Sequence, residues 1–442
     1  MNNNINSINN QGVTAYLRIP NFLEDFTNTE TLLKNECYYF NGFVPLNEND
    51  RICPKCHSLM HINNKRLLKL HNINIGSSKS IVSFYKHQLF CPNCKHTQMQ
   101  KIKFEDEHHH ITINLKNYII DVLNTGGISL KKIAEFTGVN KNIIKDIDKE
   151  RLLNRYTSNG KKLIIPEPAE FLGIDEFKLH NGFIYATHIV DLSTGKIIWI
   201  SHGKGNDVVY EFIKFVGKNW MKKVKAVACD MNAGFCNAFK KVFPHIDIVF
   251  DHFHIIKNFN EYAVKLIYND NKNCFDKSNN RMAKYLIMSS KENLKKKDKK
   301  NKEKKHKKKS SLFKCKSSKN KHRKSLNKKY NGLIKKNEIF ILLDIIKEEL
   351  DALFKATCLK TARKIINAII KQCEENGNKH LLWFRDLLKN HYEGIVNHAK
   401  YPISTGKVEG LNNKIKTLRR IHYGLPDDEY FFLKVIDCSY VK

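Results

Sequence analysis

Two apolar runs in this chain end on a bare carboxylate, an arrangement that few folds accommodate. FLGIDEFKLH carries Asp175 and VKAVACD closes on Asp230, while a third acid, Glu409, lies in the helical pattern STGKVEGLNNKIK. A charge at the end of a buried strand loses its hydration and has to be compensated. Three carboxylates converging on one point would repel one another and hold a proton unless a cation stood between them. Magnesium suits such a place, because it prefers oxygen ligands, keeps several waters and bridges substrate phosphates. The pattern points to metal-dependent phosphodiester chemistry.

The surrounding runs predict a mixed sheet covered by helices. FLGIDEFKL, GFIYATHIVDL and KIIWISHG read as strands, the last two joined by a turn at Ser193-Thr194-Gly195. DVVYEFIKFVGKNW is an amphipathic helix, and VKAVACD and IDIVFD are further strands separated by the helix GFCNAFKKVF. Hairpin strands first and β-α-β units after give that architecture. Beyond Asp251 the pattern is helical, with EIFILLDIIKEELDALF and ARKIINAIIKQCEEN strongly amphipathic. Asp230 follows Asp175 by 55 positions and Glu409 follows Asp230 by 179, so the last acid returns to the sheet after a long helical insertion.

GIDEF, then ACDMNAGF with FPHIDIVFDHFHIIKNFN, then STGKVEGLNNKIKTLRR together resemble the DDE transposases of bacterial insertion sequences, the ISL-three family above all. The likeness runs from the paired cysteines near residue 53 to the C-terminus. It implies a ribonuclease H-like catalytic core and a D-D-E metal triad, which falls here on Asp175, Asp230 and Glu409. Two Mg2+ (or Mn2+) ions are expected there, with Asp175 bridging them and each other acid completing one. It also implies strand cleavage and transfer on DNA, with terminal inverted repeats and target DNA as partners and a homodimer or higher oligomer on DNA. The family has a comparable D-x-F-H stretch near its active site, so its histidines read either as contacts to substrate phosphate or as core histidines supporting the ligands, with Asp251 and His254 as the candidates beside them. His252 and His254 share a face if their strand continues.

Other acids compete for the triad. Glu176 alternates to the opposite strand face, and Asp191 begins a hairpin turn, where Asp commonly bonds locally. Asp251 ends an apolar strand as Asp230 does and is its rival, whereas Asp247 is expected to face solvent. His108, His109 and His110 point apart on either a helix or a strand and read as a solvated loop.

Two further motifs precede the acids. Cys53-Pro-Lys-Cys56 and Cys91-Pro-Asn-Cys94 are matched knuckles that place four thiolates for one structural zinc ion. A redox CxxC is the alternative for either knuckle alone. GGISLKKIAEFTGVNKNIIKDIDKE has the rhythm of a helix-turn-helix, with Ser129 and Asn140 as caps and Gly138 at the turn. Its second helix would offer Asn140, Lys141, Asn142 and Lys145 to the major groove; an ordinary helical hairpin is the bland reading. Lys407, Lys414, Lys416, Arg419 and Arg420, around and after Glu409, are expected to face DNA.

Net charge is +33, and residues 291–330, with 20 Lys and Arg against 3 acids, contribute +17 of it. The rest of the chain still carries +16, which favours a polyanionic partner. The lysine run itself reads as a disordered, solvated loop or a nonspecific clamp on phosphates. No run of about 18 apolar residues exists, so no membrane span is expected and the location is cytoplasmic, on the nucleoid.

The expected organisation is multidomain α+β. Residues 1–29 form a disordered or extended tail, 30–105 a zinc ribbon of short strands, and 106–160 the helix-turn-helix. A ribonuclease H-like mixed α/β core follows over 161–270, a helical insertion over 271–395, and the rest of the core over 396–442. A transposase-derived regulator with an unused catalytic fold and a nuclease without strand transfer are the alternatives.

Overall fold

A computed structural model of the chain describes residues 6–7, 23, 25–180, 184–231, 233–272, 280–289, 291–307, 325–334, 338–401, 403, 406–421 and 427–440. The chain divides into two compact units, Met1–Ile164 with Lys414–Lys442, and Ile165–Asn413. This differs from the expected division, which carried 396–442 whole into the catalytic part.

The first unit opens with a six-stranded sheet. Its strands are β1 (Asn6–Ser7), β2 (Thr27–Lys34), β3 (Cys37–Phe43), β4 (His61–Ile75), β5 (Ser78–Phe90) and β6 (Thr97–Met99). The order is β1-β2-β3-β5-β4, with β6 also on β5. Phe40, Leu70, Val82 and Phe84 form its core with Phe104. Asn6 and Ser7 of the expected tail are extended and pair with Leu33 and Leu32. The ribbon strands are not all short as expected, since β4 has 15 residues and β5 has 13.

Three helices follow, α1 (Ile113–Asn124), α2 (Leu130–Thr137) and α3 (Lys141–Tyr156). They close over Leu115, Ile119, Leu130, Ile133, Ile144 and Ile147. Ser129 accepts from the Lys132 N–H to start α2, and Asn140 accepts from the Asn142 N–H at 2.8 Å to start α3. Gly138 ends α2 at φ +73°, a left-handed conformation that glycine adopts without steric cost. A short hairpin, β7 (Thr157–Ser158) and β8 (Lys162–Leu163), comes next.

The second unit holds β9 (Phe171–Lys178), β10 (Tyr185–Asp191), β11 (Lys196–His202), β12 (Ala226–Cys229) and β13 (Asp247–Phe250). They line up as β11-β10-β9-β12-β13. The first three pair antiparallel, and β9, β12 and β13 run parallel. Helices α4 (Asn206–Val216), α5 (Lys218–Met221) and α6 (Ala233–Val242) connect them. Phe212 of α4 meets Trp199 of β11 and Trp220 of α5 with ring centroids 5.6 and 5.7 Å away.

From α7 (His252–Asn258) the unit is helical. A π-helical stretch, Phe259–Val264, leads into α8 (Lys265–Asp270) and α9 (Asn280–Met288). The lysine run departs from its expected disorder, because α10 (Lys291–Lys307) is a helix. Lys and Glu are good helix formers, and Leu294 anchors the helix in a cluster with Leu286 and Tyr330. Residues 308–324 of that run lie outside the described residues. Then come α11 (Leu326–Ile334), α12 (Glu338–Lys355), α13 (Leu359–Asn376), α14 (Lys379–Asn390) and α15 (Tyr392–Val396). The division between units falls inside α16 (Gly406–Ile421), and α17 (Asp428–Tyr440) belongs to the first unit. No described helix is long and apolar enough to cross a membrane.

Candidate catalytic and metal-binding sites

The two cysteine knuckles fold alike. Cys53 N–H donates to Ser58 and accepts from the His57 N–H through its carbonyl; Cys91 does the same with His96 and Lys95. His57 and Lys95, each just past the second cysteine, stand at φ +59° and +60°. Bulky side chains seldom adopt that region, so both turns carry a local cost. The knuckles meet, with Cys53 Sγ 3.5 Å from Cys94 Sγ and Cys56 Sγ 3.4 Å from Cys91 Sγ. All four sulfurs lie within 4.8 Å of one another. Sulfurs around a tetrahedral zinc with bonds of about 2.3 Å stand about 3.8 Å apart, so the donor set and spacing fit that ion. Freshly purified protein is expected to carry one zinc per chain at these cysteines. Stripping it, or Cys91→Ser, should speed hydrogen exchange over residues 40–100 while leaving 171–250 protected; protein purified without zinc would contradict this.

Among the acids, sheet register decides the placement. Gly173 of β9 pairs with Ala228 of β12, and Cys229 pairs with Phe250 of β13. Continuing those registers, Asp175 within β9 stands level with Asp230 and Asp251, which follow the last residues of the parallel strands β12 and β13, the side of the sheet where open α/β folds commonly bind ligands. Asp251 is buried and caps α7, accepting from the Phe253 N–H. The chain therefore turns helical at His252, and His252 and His254 do not share a strand face as expected. The first turn of α7 instead brings His254 Nδ1 to 2.6 Å from Asp230 Oδ1, which also accepts from the Met231 N–H at 2.6 Å. Burial pushes the Asp230 carboxyl up, but His254 and that N–H outweigh it and hold it below the usual range. His254 is raised by the same contact.

Asp175 is the opposite case. Burial, reinforced by the charges of Asp230 and Glu176, pushes it up to about 6 despite the Glu176 N–H and His254. Its Oδ2 accepts from Asn412 Nδ2 at 2.6 Å. That contact follows from how α16 lies on β9. A Cβ at Gly173 would meet Val408 Cγ2 at 2.6 Å, so the glycine is what admits the helix. Four helix residues advance about 6 Å and two strand residues about 6.8 Å, so a helix with Val408 on Gly173 brings Asn412 to Asp175. Glu409 lies about 100° around the helix from Val408 and is exposed. Among the described residues, only the cysteines bring three His, Cys, Asp or Glu ligand atoms within 4.8 Å, so Glu409 does not share such a sphere with Asp175 and Asp230.

Two residues beside Asp175 escaped sequence reading. Asn412 Oδ1 is buried without a hydrogen-bond partner. His188, directly across from Asp175 on β10, is buried with neither ring nitrogen bonded, and burial lowers it to about 4, so it is neutral. A carboxylate pair with an unsatisfied amide oxygen is a hard, oxygen-rich donor set, and it fits a divalent cation. The sequence signal for Asn412 was its place one turn past Val408; nothing local marks His188. The rival acids are accounted for separately. Asp191 accepts from Ser193 N–H and Thr194 Oγ1 in its turn, while Asp247, expected in solvent, pairs with Lys400 at 2.8 Å.

The expected DNA-facing residues divide. Asn140, Lys141 and Asn142 are exposed at the start of α3, as are Lys414, Lys416 and Arg420 on α16. Lys145 is half-buried with Nζ 5.7 Å from the Tyr430 ring, and Arg419 lies 5.3 Å over Phe431. Lys407 differs from expectation, because its Nζ donates to the carbonyls of Leu192 and Ser193 at 2.5 and 3.2 Å. The inner face of α3 holds a buried charge network with α17. Asp148 accepts from Arg151 Nη2 at 2.8 Å, Lys434 Nζ at 2.7 Å and the Tyr430 hydroxyl at 2.5 Å. Arg151 Nη2 and the Tyr156 hydroxyl both donate to Asp437, at 2.9 and 2.7 Å.

A family model described as Transposase, that of the ISL-three DDE transposases, matches residues 172–435. The chain belongs to this family. The match spans β9 to α17 and so includes Asp175, Asp230 and Glu409. The chain is also similar to the transposase for insertion sequence element IS1001 of Bordetella parapertussis, at 24% identity over 394 residues and 87% of each chain.

Proposed function

We propose that this chain is a DNA transposase that binds the ends of an insertion sequence, cleaves strands there and joins them to target DNA. The observation that carries this is the level placement of Asp175 within β9 and Asp230 at the end of its parallel neighbour β12. Three antiparallel strands followed by two parallel ones support a ribonuclease H-like core. Asp175 and Asp230 hold the divalent cations in this reading, and Glu409, on the helix seated against Asp175, is the third acid. Such a cation, when bound, polarises the phosphodiester and stabilises the charge on the attacking and leaving oxygens.

The chain's own residues prepare that place. His254 keeps Asp230 ionised, while Asn412 holds Oδ2 of Asp175 and the Glu176 N–H holds Oδ1, so the carboxylate is fixed in orientation. Val408 on Gly173 sets the height of α16, and with it Glu409. With Mg2+ and DNA bearing the element's ends, the purified chain should cut at the ends and join the 3′-hydroxyls to a second duplex. Cutting without joining would make it a nuclease, and binding without cutting a regulator.

Sequence preference rests on α3 in this reading. Its first residues are exposed where a recognition helix meets base edges. Asn142→Ala combined with Asn140→Ser, which keeps a capping side chain, should lower the preference for terminal-repeat over random DNA about tenfold or more, as expected for lost base contacts. Competition binding measures it; unchanged preference would remove α3 from base reading.

A further inference from the structure

The β4–β5 ribbon belongs to neither the knuckles nor the helix-turn-helix, and its composition is lopsided. From His61 to Phe90 it carries Lys65, Arg66, Lys69, Lys79 and Lys86 and no acid. Strand β4 is the edge of its sheet, and residues 61–67 are exposed on both faces. Pairing of Leu67 with Tyr85 and Lys65 with His87 puts these side chains on one face, and Lys69 joins them by alternation. Leu67 and Tyr85 there are 47% and 50% exposed, and Lys65 Nζ lies 4.9 Å from the Tyr85 ring. Lys86 points to the other face and is neutralised by Glu105 at 2.5 Å. Among the described residues no acid pairs with Lys65, Arg66 or Lys69.

Edge strands often carry lysine to discourage pairing with other sheets. That accounts for the lysines but not for Leu67 and Tyr85 left open between them, which would promote the association the lysines prevent. A cationic ribbon with an aromatic at its centre has the complement of a phosphate backbone.

We infer that the face of β4 and β5 bearing Lys65, Lys69 and Tyr85 is a second DNA-contacting surface, which grips the phosphates of duplex DNA through the two lysines with Tyr85 packed against the sugars. The inference rests on the proposed DNA-binding function and assigns it a surface. Phosphate contacts carry no sequence information and release counterions. Each neutralised phosphate steepens the log–log dependence of affinity on salt by about 0.9, so a Lys65→Gln, Lys69→Gln chain should lose about 2 from that slope. Its affinity for terminal-repeat and random duplex should fall by the same factor.

The test titrates full-length wild-type and variant chains with both duplexes over a salt series, with zinc content confirming that the ribbon is intact. A Lys65→Arg, Lys69→Arg chain, which keeps the charge, should bind as wild type does. A wild-type chain that binds neither duplex would overturn the transposase reading itself. Wild-type binding with an unchanged slope in the Gln variant would overturn the ribbon proposal alone. So would a loss confined to the terminal repeat, which would mean that the ribbon reads bases. Tighter binding to single strands than to duplex, abolished by Tyr85→Ala, would also overturn it, since stacking on bases would then be the function.

Discussion

The Asp230→Asn and Asp175→Asn chains are expected to bind terminal-repeat DNA as wild type does and to cut it at least about 1,000-fold more slowly. Losing a cation ligand removes several kcal/mol of stabilisation from the developing charge, and each 1.36 kcal/mol is tenfold in rate. Binding rests on cations elsewhere in the chain and should be spared. Glu409→Gln is expected to behave likewise. The Asn side chain is nearly isosteric at both positions, so folding should survive. Asp175 makes this sharper, because burial already disfavours its charge and pushes it to about 6. A neutral amide there removes that burden from the fold while removing the ligand. Wild-type cleavage by either Asn variant, measured in single-turnover assays, would remove that acid from the site.

Asp148→Asn should produce the largest loss of stability, about 3 kcal/mol or more within the first unit. Asp148 is fully buried and receives Arg151, Lys434 and Tyr430, so its removal leaves buried cations uncompensated. Breaking a buried ion pair on one side typically costs 3–5 kcal/mol. Burial would raise the Asp148 carboxyl, but the charges of Lys434 and Arg151 hold it below the usual carboxylate range. A folded pKa depressed in this way gives stability that is full above the unfolded value, near 3.9, and is lost as pH falls through the folded value. Hydrogen exchange over α3 should therefore be flat in opening free energy from pH 7 to about 5 and weaken below 4. The Asn variant should lack that acid-sensitive step. Equal protection in the two chains at pH 7 would contradict the account.

Much of this was legible along the chain, and the failures have physical causes. The strand carrying Asp175 and those ending before Asp230 and Asp251 were readable because continuous apolar runs mark buried parallel strands. The caps Ser129 and Asn140 and the turn at Gly138 were readable because each has a local chemical reason. The partnership of α3 with α17 was not. Asp148, Lys434 and Asp437 look like solvent-facing charges in sequence, and only a fold that buries all of them together makes them a core. The length of β4 was hidden because an edge strand exposed on both faces, HINNKRL, need not alternate. His188 reaches Asp175 through cross-strand pairing, which leaves no local trace, and Asn412 through helix docking, marked only by its place one turn past Val408. Lys407's partners are turn carbonyls 214 and 215 positions earlier, which nothing local in the sequence records.

The central claim is that Asp175 and Asp230 jointly hold a divalent cation, and Mn2+ binding followed by electron paramagnetic resonance tests it most directly. Zinc-loaded wild-type chain with its end DNA should bind Mn2+ in competition with Mg2+. The Asp175→Asn and Asp230→Asn chains, with zinc content unchanged, should each lose that binding. Mn2+ bound as tightly by both variants as by wild type would contradict the account.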